Sequence, residues 1–246
     1  MFGLFSKSKK QPQETFDYGF VSVDMHSHVL PGIDDGAQTV EESTVLIKEM
    51  MGLGIKKIIA TPHIMADYYK NNATTINAAL HTLTEHLKAE NIDIEVQAAA
   101  EHYFDEYFVK LIDNDQLMLI NNHFVLFELA FTSKPPNLIH TVQRITDKGL
   151  TPILAHPERY PYLTLQEAES LRSWGCRIQL NTISLTGYYG KEVKKSAEAL
   201  VDAGIVDFIS SDMHHPRHAN AFKKSLETPY LKKLKDDGNL QNIELL

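Results

Sequence analysis

The chain has 246 residues, 43% of them hydrophobic, which is enough for one α/β barrel or two small domains. Its formal net charge of −8 argues against nucleic acid as the main partner, because nucleic-acid binding usually requires a basic face. Cys176 is the only cysteine, which excludes an internal disulfide and favours a reducing, cytoplasmic compartment.

Residues 1–15 differ in composition from the rest of the chain. Their apolar patch at 2–5 is short and precedes the basic residues, the reverse of a signal peptide. We expect a flexible leader here; the alternative is a weak docking element for a membrane surface or a partner protein. Residues 16–246 show no linker, no low-complexity stretch and no apolar run near the ~18 residues of a membrane span, so we expect a single domain.

Seven short apolar runs alternate with segments of helical periodicity. The predicted strands are 20–24, 58–61, 94–99, 124–128, 151–155, 177–181 and 208–210. The predicted helices are 39–53, one around 76–87, 107–113, 138–148, 165–174, 193–203 and a last region from about 220. Thr39 and Glu42 form a capping box before the first helix, and Gly54 ends it. This alternation predicts a parallel sheet, and seven repeats favour a (β/α) barrel.

Histidines and carboxylates follow the predicted strands. In a (β/α) barrel the carboxyl ends of all strands meet on one rim, so these side chains should converge. The candidates are His26, His28, Asp35, His63, Glu101, Glu128, His156, Asp212 and His214. Nine nitrogen and oxygen donors exceed what one ion needs and include no thiolate. The pattern therefore predicts a multinuclear hydrolase centre that suits manganese, iron or zinc.

The first strand is followed by a His-x-His pair and a glycine-flanked turn. Alternation along an extended chain directs His26 and His28 to one side, where both can hold one ion. Asp24 either fixes the tautomer of an imidazole or is a strand-end turn residue. Capping is the usual role of aspartate in turns such as the one containing Asp34 and Asp35, so only the neighbouring histidines favour Asp35 as a ligand.

Later strands end in the same kinds of side chain. His63 and His156 each stand beside a proline that ends the strand and fixes the direction of the loop. Glu101 and Glu128 close apolar strands, where a carboxylate is costly unless it is paired or metal-bound. A carboxylate in such a position can bridge two ions. The last strand is followed by an Asp-x-His pair, Asp212 and His214.

Other hydrolytic chemistries fail a direct check. A cysteine phosphatase needs an arginine six residues after its cysteine, and Cys176 has Thr182 at that place. The sequence also contains no phosphate-binding G-x-x-x-x-G-K-[ST] loop, no G-x-G-x-x-G turn and no G-x-S-x-G nucleophile elbow.

Seven segments together carry a resemblance to a known superfamily. They are DMHSHVLPGIDDGAQTVEES, ATPHI, AAEHYFD, VLFEL, LAHPERY, LNTISLTG and SDMH. They resemble the polymerase-and-histidinol-phosphatase (PHP) superfamily, and most of all its bacterial metal-dependent protein-tyrosine phosphatases of the CpsB/CapC/YwqE type. The resemblance covers about residues 20–214. It implies a distorted (β/α)7 barrel of PHP type with a centre of up to three ions, usually described with Mn²⁺.

The resemblance also implies roles for single residues. Three ions would be held, the first two sharing Glu101, by His26, His28, Glu101 and Asp212; by Glu101, Glu128 and His156; and by Asp35, His63 and His214. Arg159 matches the phosphate-binding arginine of the family, and Arg217 is a candidate for a further one. Asp212 or a nearby histidine would carry a proton for the leaving phenolate. The leader is a departure from the family pattern.

The function implied by the resemblance is hydrolysis of phosphotyrosine in a protein. The substrate would be the Tyr-rich tail of a bacterial tyrosine autokinase that regulates capsule or exopolysaccharide export. One alternative is a small-molecule phosphatase such as a histidinol-phosphatase. A second is an inactive metal-bound scaffold, which an incomplete ligand set would favour; here all nine positions are filled.

Overall fold

A computed structural model describes residues 16–246, so the expected leader at 1–15 lies outside the described residues. The strands are β1 Val23–Ser27, β2 Lys57–Ala60, β3 His63–Ile64, β4 Glu95–Ala98, β5 Glu101–Tyr103, β6 Phe124–Glu128, β7 Thr151–Ala155, β8 Arg177–Asn181 and β9 Phe208–Ser210. The α-helices are α1 Val40–Gly52, α2 Ala73–Ala89, α3 Glu106–Asp113, α4 Leu138–Asp147, α5 Leu165–Ser173, α6 Lys191–Asp202, α7 Pro216–Ser225 and α8 Pro229–Asp237. No helix within 16–246 is long and apolar enough to cross a membrane.

The strands form two parallel sheets, ordered β1-β2-β4 and β3-β5-β6-β7-β8-β9. β2 and β3 follow one another along a single strand path, as do β4 and β5, so the seven predicted strand positions are confirmed. Pro62 lies in the first break, where it has no N–H to give to a ladder. Its carbonyl still accepts a hydrogen bond from Glu101 N at 3.1 Å, which keeps the two paths in register across the break.

The first strand and the segment after the last strand meet through the backbone. Asp212 N donates to His26 O at 3.0 Å, and His28 N donates to Met213 O at 2.9 Å. These bonds bring the ends of the strand order together and complete a distorted (β/α)7 barrel. They also place the two histidines beside Asp212 irrespective of any side-chain contact.

Two boundaries differ from the sequence prediction. The predicted first strand at 20–24 is wrong by about three residues, because Tyr18–Phe20 form a 3-10 turn capped by Asp17. The strand is Val23–Ser27, so His26 lies inside it rather than after it. The predicted last helical region is two helices, which begin at Pro216 and Pro229, since proline suits the first turn of a helix.

The core has two parts. The larger part packs the helices against the sheets. The smaller part is built from one face of several strands, with Leu126 of β6 and Phe208 of β9 among its members, and from Leu245 near the carboxyl end of the chain. Side chains alternate along a strand, so residues two positions further face the same side. Glu128 and Ser210 are those residues, and they lie where the apolar core gives way to the polar rim.

Candidate metal centre

The nine predicted ligands converge at the rim, around a cavity of about 440 Å³. The lining includes seven of them: Asp35, His63, Glu101, Glu128, His156, Asp212 and His214. His26 and His28 are fully buried, and their imidazoles contact the same carboxylates from below. The structure thus brings together side chains that are up to 188 residues apart, as the barrel rim predicts.

Glu101 lies at the middle of the cluster and is fully buried. Its Oε2 is 3.3 Å from His26 Nε2, 3.4 Å from His28 Nε2 and 3.1 Å from His63 Nδ1. Its Oε1 is 3.0 Å from His156 Nε2. Within the described chain, Oε2 and His63 Nδ1 have no hydrogen-bond partner although both are buried. Buried lone pairs that face one another without a proton between them are what a cation would satisfy.

Three groups of side chains have ligand atoms within 4.8 Å of one another: His26, His28 and Glu101; His63, Glu101 and Glu128; and His28, Asp35, His63 and His214. Glu101 occurs in two groups, as a bridging carboxylate should. The third group contains all three ligands expected for the third ion. In the second group, His63 stands where the resemblance implies His156. The donor set is therefore complete, and His28 and His63 are shared between neighbouring groups.

The imidazoles of the His-x-His pair are oriented by other side chains. His28 Nδ1 is 2.8 Å from Asp34 Oδ2, which leaves Nε2 directed at Glu101. Asp34 also accepts from Gly36 N at 2.9 Å, so it caps the turn as expected and orients a ligand as well. Asp24 contacts no imidazole; it accepts hydrogen bonds from Ser211 N at 2.7 Å and Ser211 Oγ at 2.8 Å. The tautomer role considered for Asp24 is thus wrong.

The electrostatics of the cluster favour positive charge. Burial works against a charged His28, yet Asp34 raises the pKa of His28 to about 10. Burial likewise works against an ionised Glu101, but His26 and His63 hold its pKa well below the usual range. The carboxylates therefore stay ionised and draw protons onto the imidazoles. A divalent cation would compete with those protons for the same lone pairs.

Arg159 lies at the edge of the cavity, on a short 3-10 turn, Pro157–Arg159, directly after His156. Its guanidinium donates to Asp212 Oδ2 at 3.1 Å and lies 4.7 Å from the ring centre of Phe131 and 4.3 Å from that of Tyr189. Burial acts to lower the pKa of Arg159, but Asp212 and its other neighbours raise it. The guanidinium is thus a permanently charged, oriented fork facing the cavity.

The second predicted arginine is placed differently. Arg217 is exposed on α7 and does not belong to the lining of the cavity. The nearby His215 and His218, expected to be surface residues, do line it. His102, the neighbour of Glu101, is buried and faces away from the cluster, where Nδ1 bonds Leu126 O at 2.9 Å. Burial lowers its pKa to about 4, which keeps this imidazole neutral.

Some residues of the site were missed by sequence reasoning. Gln179 and Asn181 are fully buried on β8 and contact the predicted ligands. Phe131 and Tyr189 hold the guanidinium of Arg159. The alternation of Gln179 and Asn181 with Ile178 and Leu180 places two amides on one face of a buried strand, a signal that could have been used.

Comparison with known proteins agrees with this geometry. The family described as capsular polysaccharide synthesis, CpsB/CapC, matches residues 22–242. The tyrosine-protein phosphatase YwqE of Bacillus subtilis (strain 168) is 31% identical over 205 residues, which cover 80% of this chain and 79% of YwqE. The putative tyrosine-protein phosphatase CapC of Staphylococcus aureus is 26% identical over 195 residues, covering 78% and 76%.

Solved structures give the same result. One from a study of YwqE from Bacillus subtilis and CpsB from Streptococcus pneumoniae, described as unique metal-dependent tyrosine phosphatases, superimposes with a TM-score of 0.79 at 28% identity over 90% of both chains. A histidinol phosphate phosphatase from Lactococcus lactis, at 12% identity and a TM-score of 0.51 over 83% of this chain and 92% of that one, shares the fold alone. The chain belongs to the CpsB/CapC family of capsular polysaccharide synthesis.

Proposed function

We propose that the chain is a metal-dependent tyrosine-protein phosphatase that acts in capsule or exopolysaccharide regulation. The observation that carries this proposal is the arrangement of one cavity, in which nine converging metal donors face an oriented arginine. Its relatives YwqE and CpsB are named tyrosine-protein phosphatases, which supports the same chemistry. The filled ligand set argues against an inactive scaffold.

The metal would be held by the nine His, Asp and Glu residues, as up to three ions. Five imidazoles and four carboxylates suit Mn²⁺, which we propose, with iron or zinc as alternatives. Bound ions would supply Lewis-acid stabilisation of the phosphoryl oxygens and lower the pKa of a water nucleophile. Glu101 is the proposed bridge, because its two oxygens face four imidazoles at 3.0–3.4 Å.

Arg159 would bind the phosphate. Its fork is held flat by Phe131 and Tyr189, so it can meet two phosphate oxygens without first losing side-chain freedom. Asp212 fixes one N–H of the fork, and neighbouring charges hold the pKa of Asp212 below its usual range despite burial. Asp212 is therefore ionised and serves better as ligand and anchor than as an acid, which favours a neighbouring histidine as the proton carrier.

The walls of the cavity suit a phosphorylated phenol. Tyr69, Tyr103, Phe131 and Tyr189 line it, and Phe131 is 43% exposed at its mouth. Aromatic side chains recognise a phenyl ring by offset or edge-on stacking. A phosphotyrosine side chain is also long enough to carry its phosphate past this aromatic wall, whereas phosphoserine is short and offers no ring. The proposed protein substrate is the tail of a tyrosine autokinase, in the cytoplasm.

The test compares substrates and one matched pair of variants. Metal-loaded protein should hydrolyse a phosphotyrosine peptide faster than the same peptide with phosphoserine, and faster than histidinol phosphate. Phe131→Ala should lower kcat/KM for the phosphotyrosine peptide, whereas Trp174→Ala, at an equally exposed aromatic outside the cavity, should not. Preference for histidinol phosphate would contradict the protein substrate, and equal rates on both peptides would contradict the aromatic wall.

A further inference from the structure

Gln179 is a buried amide that contacts residues from three other parts of the rim. It lies on β8 with no exposed surface. Its Oε1 is 3.0 Å from His26 Nδ1 and 3.2 Å from His156 N. Its Nε2 is 2.9 Å from Asn181 Oδ1 and 2.6 Å from Ser210 Oγ. All four hydrogen-bonding positions of the amide are therefore in use.

The pattern of these bonds determines the orientation of the amide. A backbone N–H can only donate, so the atom of Gln179 that faces His156 N must be the oxygen. The same oxygen faces His26, which must then carry its proton on Nδ1. The free lone pair of a neutral His26 is consequently on Nε2, the atom directed at Glu101 and Asp212. One backbone amide thus fixes the tautomer of a predicted metal ligand.

The other end of the amide acts on Asp212. Because Gln179 Nε2 donates to Asn181 Oδ1, the Asn181 amide must present its nitrogen to Asp212 Oδ2, at 2.7 Å. Arg159 donates to the same oxygen. Oδ1 is thereby left to face the imidazoles of His26, 3.5 Å away, and His28, 3.6 Å away.

His156 itself needs support. Its φ of 34° lies in the left-handed region, which is uncommon for a residue with a side chain. Such conformations persist at functional sites where surrounding contacts impose them. The hydrogen bond from its N–H to Gln179 is one of these contacts. Pro157 follows directly and has no N–H of its own.

We propose that Gln179 is a positioning residue of the metal centre, which sets the tautomer of His26, supports the backbone of His156 and orients Asp212 through Asn181. This inference rests on the proposed function. Metal-binding imidazoles commonly donate their second N–H to a carboxylate or a carbonyl. An amide oxygen does the same without adding negative charge or accepting the proton, which suits a cluster that already contains four carboxylates.

The test measures metal binding directly. Apo protein is titrated with Mn²⁺, and free Mn²⁺ is followed by electron paramagnetic resonance, with the melting temperature of each apo variant as the measure of folding. Gln179→Met keeps the length of the side chain but removes all four bonds, and should weaken Mn²⁺ binding about 10- to 100-fold. Gln179→Glu keeps the acceptor for His26 and His156 and should recover most of the affinity. Gln97→Met, at a strand glutamine whose amide bonds only Glu95, should bind Mn²⁺ as the wild type does.

Wild-type Mn²⁺ affinity in Gln179→Met would overturn the inference, as would equal losses in Gln179→Met and Gln179→Glu. If Gln179→Met does not fold, Gln179→Glu decides: near-normal affinity supports the role of the acceptor oxygen, and a large loss removes it. Failure of the proposed function would look different. Wild-type protein would then bind Mn²⁺ with the Gln179 dependence described but hydrolyse no phosphotyrosine.

Discussion

Replacing Arg159 by alanine removes the oriented guanidinium from the cavity and leaves every predicted metal ligand in place. Losing one oriented donor to a transition state typically lowers kcat about 10²- to 10³-fold, or about 2.7–4 kcal/mol. The Arg159 side chain is 23% exposed, so water partly screens its charge. We therefore expect the lower end, a loss of about 2.7 kcal/mol in kcat/KM, which is roughly a hundredfold.

Stability should change much less than activity. The partly exposed pair of Arg159 with Asp212 contributes at most ~1 kcal/mol. Each cation–π contact, to Phe131 and to Tyr189, contributes on the order of 0.5–1 kcal/mol. The melting temperature should fall by only a few degrees, and the metal content should stay unchanged. Arg159→Lys should recover part of the activity, since an ammonium supplies the charge but not the planar fork.

The assay is steady-state hydrolysis of a phosphotyrosine peptide, with metal content measured by elemental analysis on the same samples. Arg217→Ala is the matched control, because its guanidinium is exposed on α7 and outside the cavity lining. Its kcat/KM should stay close to the wild-type value; a large loss would support the phosphate-binding role implied for Arg217. Near-normal kcat/KM in folded, metal-replete Arg159→Ala would refute the reasoning and show that the ions alone hold the phosphate.

Three further outcomes are expected. Glu101→Gln should lose metal and rate together, whereas His102→Ala should keep its metal because that imidazole faces Leu126; equal loss of metal would remove the bridging role of Glu101. Excess chelator should abolish turnover, and reloaded protein should contain more than one ion per chain by elemental analysis; full turnover of metal-free protein would contradict a metal-dependent reaction. Burial raises the pKa of the Cys176 thiol to about 12, so it stays protonated at mildly alkaline pH. Iodoacetamide should then leave native protein unmodified and active, and rapid inactivation would show a reactive thiol.

The sequence was most informative where a strand ends. Polar residues such as Glu128 and His156 follow apolar strands, and parallel topology then requires them to meet. The error at the first strand has a local cause: Phe20 and its neighbours resemble a strand by composition, but Asp17 accepts from Gly19 N and turns the chain. A side-chain cap of this kind competes with strand formation and has no periodicity.

Partners of the ligands were harder to predict than the ligands. Asp24 and Asp34 both stand near the histidine pair in sequence, yet only Asp34 bonds an imidazole. Which of them does so depends on the direction of each side chain in three dimensions, which spacing alone does not determine. Gln179 comes from a strand more than 150 residues away, so its contact with His26 follows from the closure of the barrel and not from local sequence.

The meeting of the first and last strands has a consequence for biosynthesis. Asp24 and Ser211, which join these segments, are 187 residues apart. At roughly 5–20 residues per second, a ribosome needs on the order of 10–40 s to synthesise the chain between them. Throughout that interval His26 and His28 have been made while Asp212 has not. The nascent chain can therefore present only part of the donor set, and a complete metal centre must form after translation is almost finished.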